Sequence, residues 1–147
     1  MSFIDIRDFS YTYPGRQTPA LESINLQADR GQFLVITGKS GCGKSTLAKA
    51  LAGFLFQDEI VHFGGEIWVN ETDMAQVPLY AASERVAYVQ QNPEDQFCTL
   101  TVKDEIAFGL ENRQVSFADI EATILSVLSV VDGMALLERD LSTLSGG

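Results

Sequence analysis

Apolar and polar residues alternate through "FIDIRDFSYTY", residues 3–13, where Phe3, Ile4, Ile6 and Phe9 stand against polar neighbours, the period of a strand with one buried face. Two prolines and a glycine in "PGRQTP" then break the pattern. Apolar positions resume at Leu21, Ile24 and Leu26 in "ALESINLQ", so the chain is predicted to open with an antiparallel sheet. The next stretch differs in kind: "FLVIT", residues 33–37, is continuously apolar and bounded by Gly31 and Gly38, the pattern of a strand covered on both faces. Behind it Leu47, Leu51, Phe54 and Leu55 recur at helical spacing, which predicts a helix from about Lys44 to Ala52 stopped at Gly53.

Alternation returns in "EIWVN", residues 66–70, and "RVAYVQQ", residues 85–91, reads as another strand. The final third turns helical. Thr101 with Asp104, and Ser116 with Asp119, have the spacing of a helix N-terminal capping box. In the second of these helices Phe117, Ile120, Ile124, Leu128 and Val131 fall on one face, which needs a core to lie on. No internal repeat, low-complexity tract or proline-rich linker divides the chain, and 147 residues is the size of one folding unit.

The formal charge of -10 means that the average surface repels phosphate backbones and anionic lipid, which excludes a nucleic-acid partner. Any polyphosphate must be captured by a local positive site acting against the net charge. Of the two cysteines, Cys42 lies inside a glycine-rich stretch that a disulfide would distort, so a reduced, cytoplasmic setting is expected. The start "MSFIDIRDF" lacks a signal-peptide core, and no charge-free run approaches the roughly 18 residues of a membrane helix.

That glycine-rich stretch, "GKSGCGKST", carries the chemistry. Gly38, four residues, Gly43, Lys44 and Ser45 satisfy G-x-x-x-x-G-K-[ST] between a predicted strand and a predicted helix. Glycines let the backbone approach a phosphate without a Cβ in the way, and successive amides from about Gly41 to Ser45 converge on a β-phosphate, helped by the helix N-terminus behind them. Lys44 is placed to reach the β- and γ-phosphates, and the Ser45 hydroxyl to meet Mg²⁺. Gly38, Ser40, Gly41, Cys42, Gly43, Lys44, Ser45 and Thr46 are therefore the candidate nucleotide-binding residues of the loop. The bland alternative is a glycine turn with an exposed lysine. Such a loop serves kinases, GTPases, helicases and transporter motors alike, and does not choose among them.

Four further stretches resemble the ATP-binding cassette (ABC) ATPases, in family order and over nearly the whole chain. "LSTLSGG", residues 141–147, resembles the opening of the signature motif; "YVQQNPEDQ" the Q-loop; "FSYTYPG" the A-loop; and "TVKDEIAFGL" the first helix of the helical subdomain. The resemblance implies that Tyr13 stacks on adenine, that Gln91 rather than Gln90 contacts Mg²⁺ and the surroundings of the attacking water, and that Ser145, Gly146 and Gly147 meet the γ-phosphate held by a second ATPase domain. Tyr13 read alone is a sheet residue whose ring packs on a neighbour, as aromatics in strands usually do. The QNP-x-x-Q stretch in "QNPEDQF" is similar to the ATPases of energy-coupling-factor and cobalt-type uptake systems, which import vitamins or metal ions.

The resemblance implies an α/β fold of the P-loop NTPase, ABC ATPase type. Its parts are an N-terminal antiparallel β region (residues 1–30), a P-loop core with Q-loop (31–95) and the start of a helical subdomain (96–147). In that family a second strand ending in Asp and a catalytic Glu, a D-loop and a switch histidine follow the signature; none is in these 147 residues, and His62 lies far from the switch position. No catalytic residue is therefore assigned. The chain is expected to be the N-terminal part of a longer protein, inactive alone, with an incomplete core in which residues 33–37 lose a neighbour and apolar faces stay uncovered. The intact protein is expected to be an ATPase that binds ATP and Mg²⁺. It would pair with a second ABC ATPase domain and an integral membrane subunit, peripheral at the inner face of the cell membrane. Two alternatives stay open. One is a small-metabolite kinase, whose lid would carry arginines where only the scattered Arg113 and Arg139 occur; the other is a nucleotide-binding module without hydrolysis.

Overall fold

A computed structural model describes residues 2–57 and 62–145, which fall into two compact units, Met1–Tyr88 and Val89–Gly147. In the first unit the alternating segments become β1 (Ile4–Thr12), β2 (Leu21–Ala28) and β3 (His62–Val69), joined by the two-residue β4 (Thr72–Asp73). The sheet is antiparallel in the order β2-β1-β3-β4, with Ile6 opposite Leu26 on one side and Ile67 on the other.

Strand β1 does not keep a simple period of two. Ile6 and Phe9 are both buried although three residues apart, because both ladders shift register between them and Asp8 takes a positive φ of 46°. This bulge returns Phe9, and after it Tyr11, to the core face. Gly65 on the facing strand makes it possible: a Cβ there would lie 2.3 Å from the Asp8 carbonyl oxygen. Without the extra residue every side chain beyond Asp8 would face the wrong way, so the bulge is what aims the end of β1.

Helix α1 (Lys44–Leu51) covers this sheet with Leu47 and Ala50, which join Ile6, Phe9, Tyr11, Leu21, Ile67, Val69 and Met74 in one core. Full burial of a side chain such as Phe9 stabilises by about 1.5–3 kcal/mol. Gly53 follows the helix as its sequence position predicts, and a short helix α2 (Leu79–Ser83) packs Ala82 into the same core.

The second unit is helical. Thr101 caps α3 (Val102–Glu111) by accepting from the Asp104 amide at 3.2 Å, and Ser116 caps α4 (Phe117–Val130) by accepting from the Asp119 amide at 3.3 Å. Both caps are those read from the sequence. Val102, Ile120, Ile124, Leu128 and Leu141 form the core. The expected five-residue stripe on α4 is buried only in its centre: Phe117 is 88% exposed and Val131 67%. Residues 141–143 close against α3 through a bridge between Thr101 and Asp140 and a bond from the Leu141 amide to the Leu100 carbonyl at 2.9 Å.

Two predicted strands are absent among the described residues. Residues 33–37 enter no ladder, and Phe33 and Val35 are 94% and 66% exposed. Residues 85–91 likewise pair with no strand. The physical reason is common to both. A run of apolar residues encodes two-sided burial, but a strand forms only where a neighbour takes up its N–H and C=O groups. His62, by contrast, starts β3 opposite Thr12 and is exposed. No helix among the described residues is long and apolar enough to cross a membrane.

Candidate functional site

The glycine-rich loop runs into α1 at Gly43, which is the N-cap with φ 96° and brings no side-chain acceptor to the first turn. No acidic residue stands in that turn either, so the orphan amides at the helix N-terminus have neither a capping oxygen nor a carboxylate against them. Gly43 is irreplaceable on steric grounds: a Cβ would lie 2.6 Å from the Ala20 carbonyl oxygen and 2.9 Å from Leu21 Cδ2. The loop thus lies against the start of β2, and the antiparallel sheet positions it.

Lys44, the first residue of α1, reaches back over the loop. Its Nζ donates to the carbonyl oxygens of Gly38 and Lys39, each at 2.9 Å, and lies 3.6 Å from Cys42 Sγ. One ammonium therefore ties both ends of the turn and holds its positive charge at the loop's centre. At Gly38 a Cβ would meet Cys42 Sγ at 2.7 Å, so the two ends of the loop approach too closely for a side chain. Cys42 and Cys98 are both free thiols. Ser40 and Ser45 are exposed, and the Ser45 hydroxyl makes no hydrogen bond among the described residues.

Tyr13 stands just beyond β1 on the face that the bulge selects. Its hydroxyl shares a hydrogen bond of 3.2 Å with Oγ1 of the buried Thr46, and its ring meets Tyr11 edge-on, centroids 5.0 Å apart. Both contacts fix the ring's tilt. Between this tyrosine and the loop opens a cavity of about 500 Å³, lined by Tyr13, Arg16, Thr18, Gly41, Gly43 and Thr46 among others. Its size falls within the ~300–1,000 Å³ of small-molecule sites. The sequence placed Tyr13 and the loop residues Gly38 and Ser40 to Thr46 as candidates, and the first unit sets Tyr13 beside Gly41, Gly43 and Thr46 of that loop. Arg16 and Thr18 went unread, because "PGRQTP" looked like a mere interruption; its position between an aromatic strand end and β2 was the available signal.

Gln91 and Ser145 belong to the second unit, and both are exposed. Gln91 makes no hydrogen bond among the described residues, whereas the Gln90 amide donates to Gln96 Oε1 at 3.0 Å and so belongs to the turn Pro93–Gln96. Glu105 ties the following segment to α3, accepting from the amides of Cys98 and Thr99 at 3.0 and 2.9 Å. Gly146 and Gly147 lie outside the described residues.

The glycine-rich loop, its lysine and the cavity bearing Tyr13 all lie in the first unit, and a family profile described as ABC transporter matches residues 21–147. The chain belongs to the ABC transporter family. It is 37% identical over 147 residues to the energy-coupling factor transporter ATP-binding protein EcfA1 of Levilactobacillus brevis, covering 99% of this chain and 50% of that protein. To EcfA1 of Lactobacillus johnsonii it is 34% identical over 146 residues, covering 99% and 51%. Its fold resembles that of cbiO1 of Clostridium perfringens, described as part of the ABC transporter complex cbiONQ. The TM-score is 0.80 at 24% identity, covering 98% of this chain and 56% of that one. Among similar relatives, this ABC chain spans between 23% and 53% of their length.

For an ABC ATP-binding chain the donor set is chemically apt. Main-chain amides at a helix N-terminus and an ammonium suit phosphate oxygens, and a serine hydroxyl is the hard oxygen donor that Mg²⁺ accepts.

Proposed function

We propose that the chain is the nucleotide-binding part of an ABC transporter ATPase that powers uptake of a vitamin or metal ion. The observation that carries this reading is the contact of Tyr13 with Thr46, which sets an aromatic ring and its cavity directly beside the lysine-bearing loop. Adenine stacks on Tyr13, and the amides of Gly38, Ser40, Gly41, Cys42, Gly43 and Thr46 take the phosphates. Lys44 leaves its two loop carbonyls for the β- and γ-phosphate oxygens, exchanging neutral acceptors for charged ones. Within the loop Ser45 would hold Mg²⁺, which when bound would neutralise charge on the polyphosphate.

Ser145, Gly146 and Gly147 serve a second ATPase domain, so that ATP draws two domains together and its hydrolysis releases them. The uptake reading is supported by relatives named as energy-coupling factor transporter ATP-binding proteins. It implies a membrane subunit as partner and a place at the inner face of the cell membrane. Residues 1–30, 31–95 and 96–147 then act as antiparallel region, P-loop core and helical subdomain. On this reading Lys44→Ala removes ATP binding measured by calorimetry, because it deletes the one cation at the terminal phosphates. Unchanged affinity in that variant would contradict it.

A further inference from the structure

Arginines in the first unit are nearly all engaged. Arg7 pairs with Asp5 and Glu66, Arg85 donates to Thr72 Oγ1 at 2.7 Å, and Arg30 lies over the Phe3 ring at 5.8 Å. Arg16 differs: its side chain has no hydrogen bond or ion pair among the described residues, yet it lines the cavity between Tyr13 and the loop. It is also the one charged residue in that lining. The backbone around it is fixed, since the Arg16 amide donates to the Tyr13 carbonyl at 3.0 Å and the Ala20 amide to the Tyr11 carbonyl at 2.8 Å. Residues 14–19 therefore form a turn anchored at both ends that sets Arg16 at the cavity.

We infer that Arg16 is a positioning residue for the nucleoside end of a bound nucleotide, its guanidinium meeting the phosphate next to the ribose; this rests on the nucleotide-binding reading above. The argument is one of reach and charge. Lys44 Nζ lies at the loop's centre, against the Gly38 and Lys39 carbonyls that it exchanges for phosphate oxygens, so its charge serves the phosphates inside the loop. A polyphosphate leaving the loop toward Tyr13 passes Thr46, whose hydroxyl is bonded to that same tyrosine. The phosphate at that point is outside the grip of Lys44 and within the cavity that Arg16 lines. A planar guanidinium, weakly hydrated and always charged, is the side chain suited to that oxygen pair, and in a chain of net charge -10 a local cation is what permits an anion there at all.

The test measures Kd for ATP, ADP and AMP directly by isothermal titration calorimetry on the 147-residue chain and its variants, with circular dichroism confirming the fold. Arg16→Gln is expected to weaken all three nucleotides by one common factor of about tenfold, the loss of one charge-assisted hydrogen bond. Arg16→Lys recovers part of it, because the charge returns without the fork. Lys49→Gln, an exposed lysine at the far end of α1, controls for net charge and changes Kd by less than about twofold. Lys44→Ala spares AMP while losing ATP. Equal affinities in Arg16→Gln and the unaltered chain overturn the inference, as does a loss confined to ATP or one matched by Lys49→Gln. If ATP is lost in Lys44→Ala but Arg16→Gln is silent, the inference fails and the nucleotide-binding reading stands. ATP binding that survives Lys44→Ala sinks the reading itself.

Discussion

Gly43 carries two constraints at once, a left-handed backbone and a close approach to β2, and Gly41 carries only the first. With φ 80° and nothing within 4 Å of a built Cβ, Gly41→Ala meets conformational strain alone, about 1–2 kcal/mol. Gly43→Ala adds contacts of 2.6 and 2.9 Å with Ala20 and Leu21, which the antiparallel sheet holds in place. Urea denaturation should therefore show Gly43→Ala less stable than Gly41→Ala by about 1–3 kcal/mol, the scale of a strained site that its surroundings cannot relieve. Equal losses would mean that the loop moves freely away from β2, and that the sheet does not position it.

Among the secondary-structure elements, the turn Leu141–Thr143 depends on one carboxylate. Asp140 caps it by accepting from the Ser142 amide at 2.8 Å, and Ser142, by its side chain first and its amide second, holds the Asp140 carboxyl below its ordinary value of 3.8. A lowered folded-state value means that the cap's contribution is fully present above the ordinary aspartate range and is lost as pH falls through the lower, folded value. Protection of the Ser142 amide, followed by NMR, should thus persist at pH 5 and disappear only below about 3.8. Asp140→Asn should flatten that dependence, since an amide oxygen accepts at every pH; a titration identical in both proteins would remove Asp140 as its source. Elements like these caps were legible in the sequence because Thr101 with Asp104 and Ser116 with Asp119 act locally. The strands of the antiparallel sheet were legible because their neighbours alternate in the same phase. Residues 33–37 and 85–91 were not, since their apolar runs state a need for cover and leave unsaid which strand pairs with them. Within the site, glycine spacing announced the loop and the motif context announced Tyr13. Arg16 became visible only when the bulge at Asp8 and the anchored turn had aimed both residues at one cavity.

At the scale of the whole molecule the chain is acidic, with a formal charge of -10, yet Lys44 sits over the glycine-rich loop and Arg16 lines the cavity beside it. That distribution suits capture of a nucleotide, and hydrolysis asks for more than capture. Phosphoryl transfer needs the attacking water positioned and the developing charge neutralised from several sides. In the proposed assembly the Ser145 to Gly147 segment acts on the nucleotide of a second domain, and no carboxylate of this chain has an assigned part in activating water. Loss of a general base alone lowers a rate by about 10²–10⁴-fold. The chain should therefore bind ATP yet release phosphate at a rate indistinguishable from Lys44→Ala, measured at steady state with saturating ATP and Mg²⁺. Robust turnover that Lys44→Ala abolishes would show that a base lies within these residues, and the acidic side chains nearest the loop would then have to be searched for it.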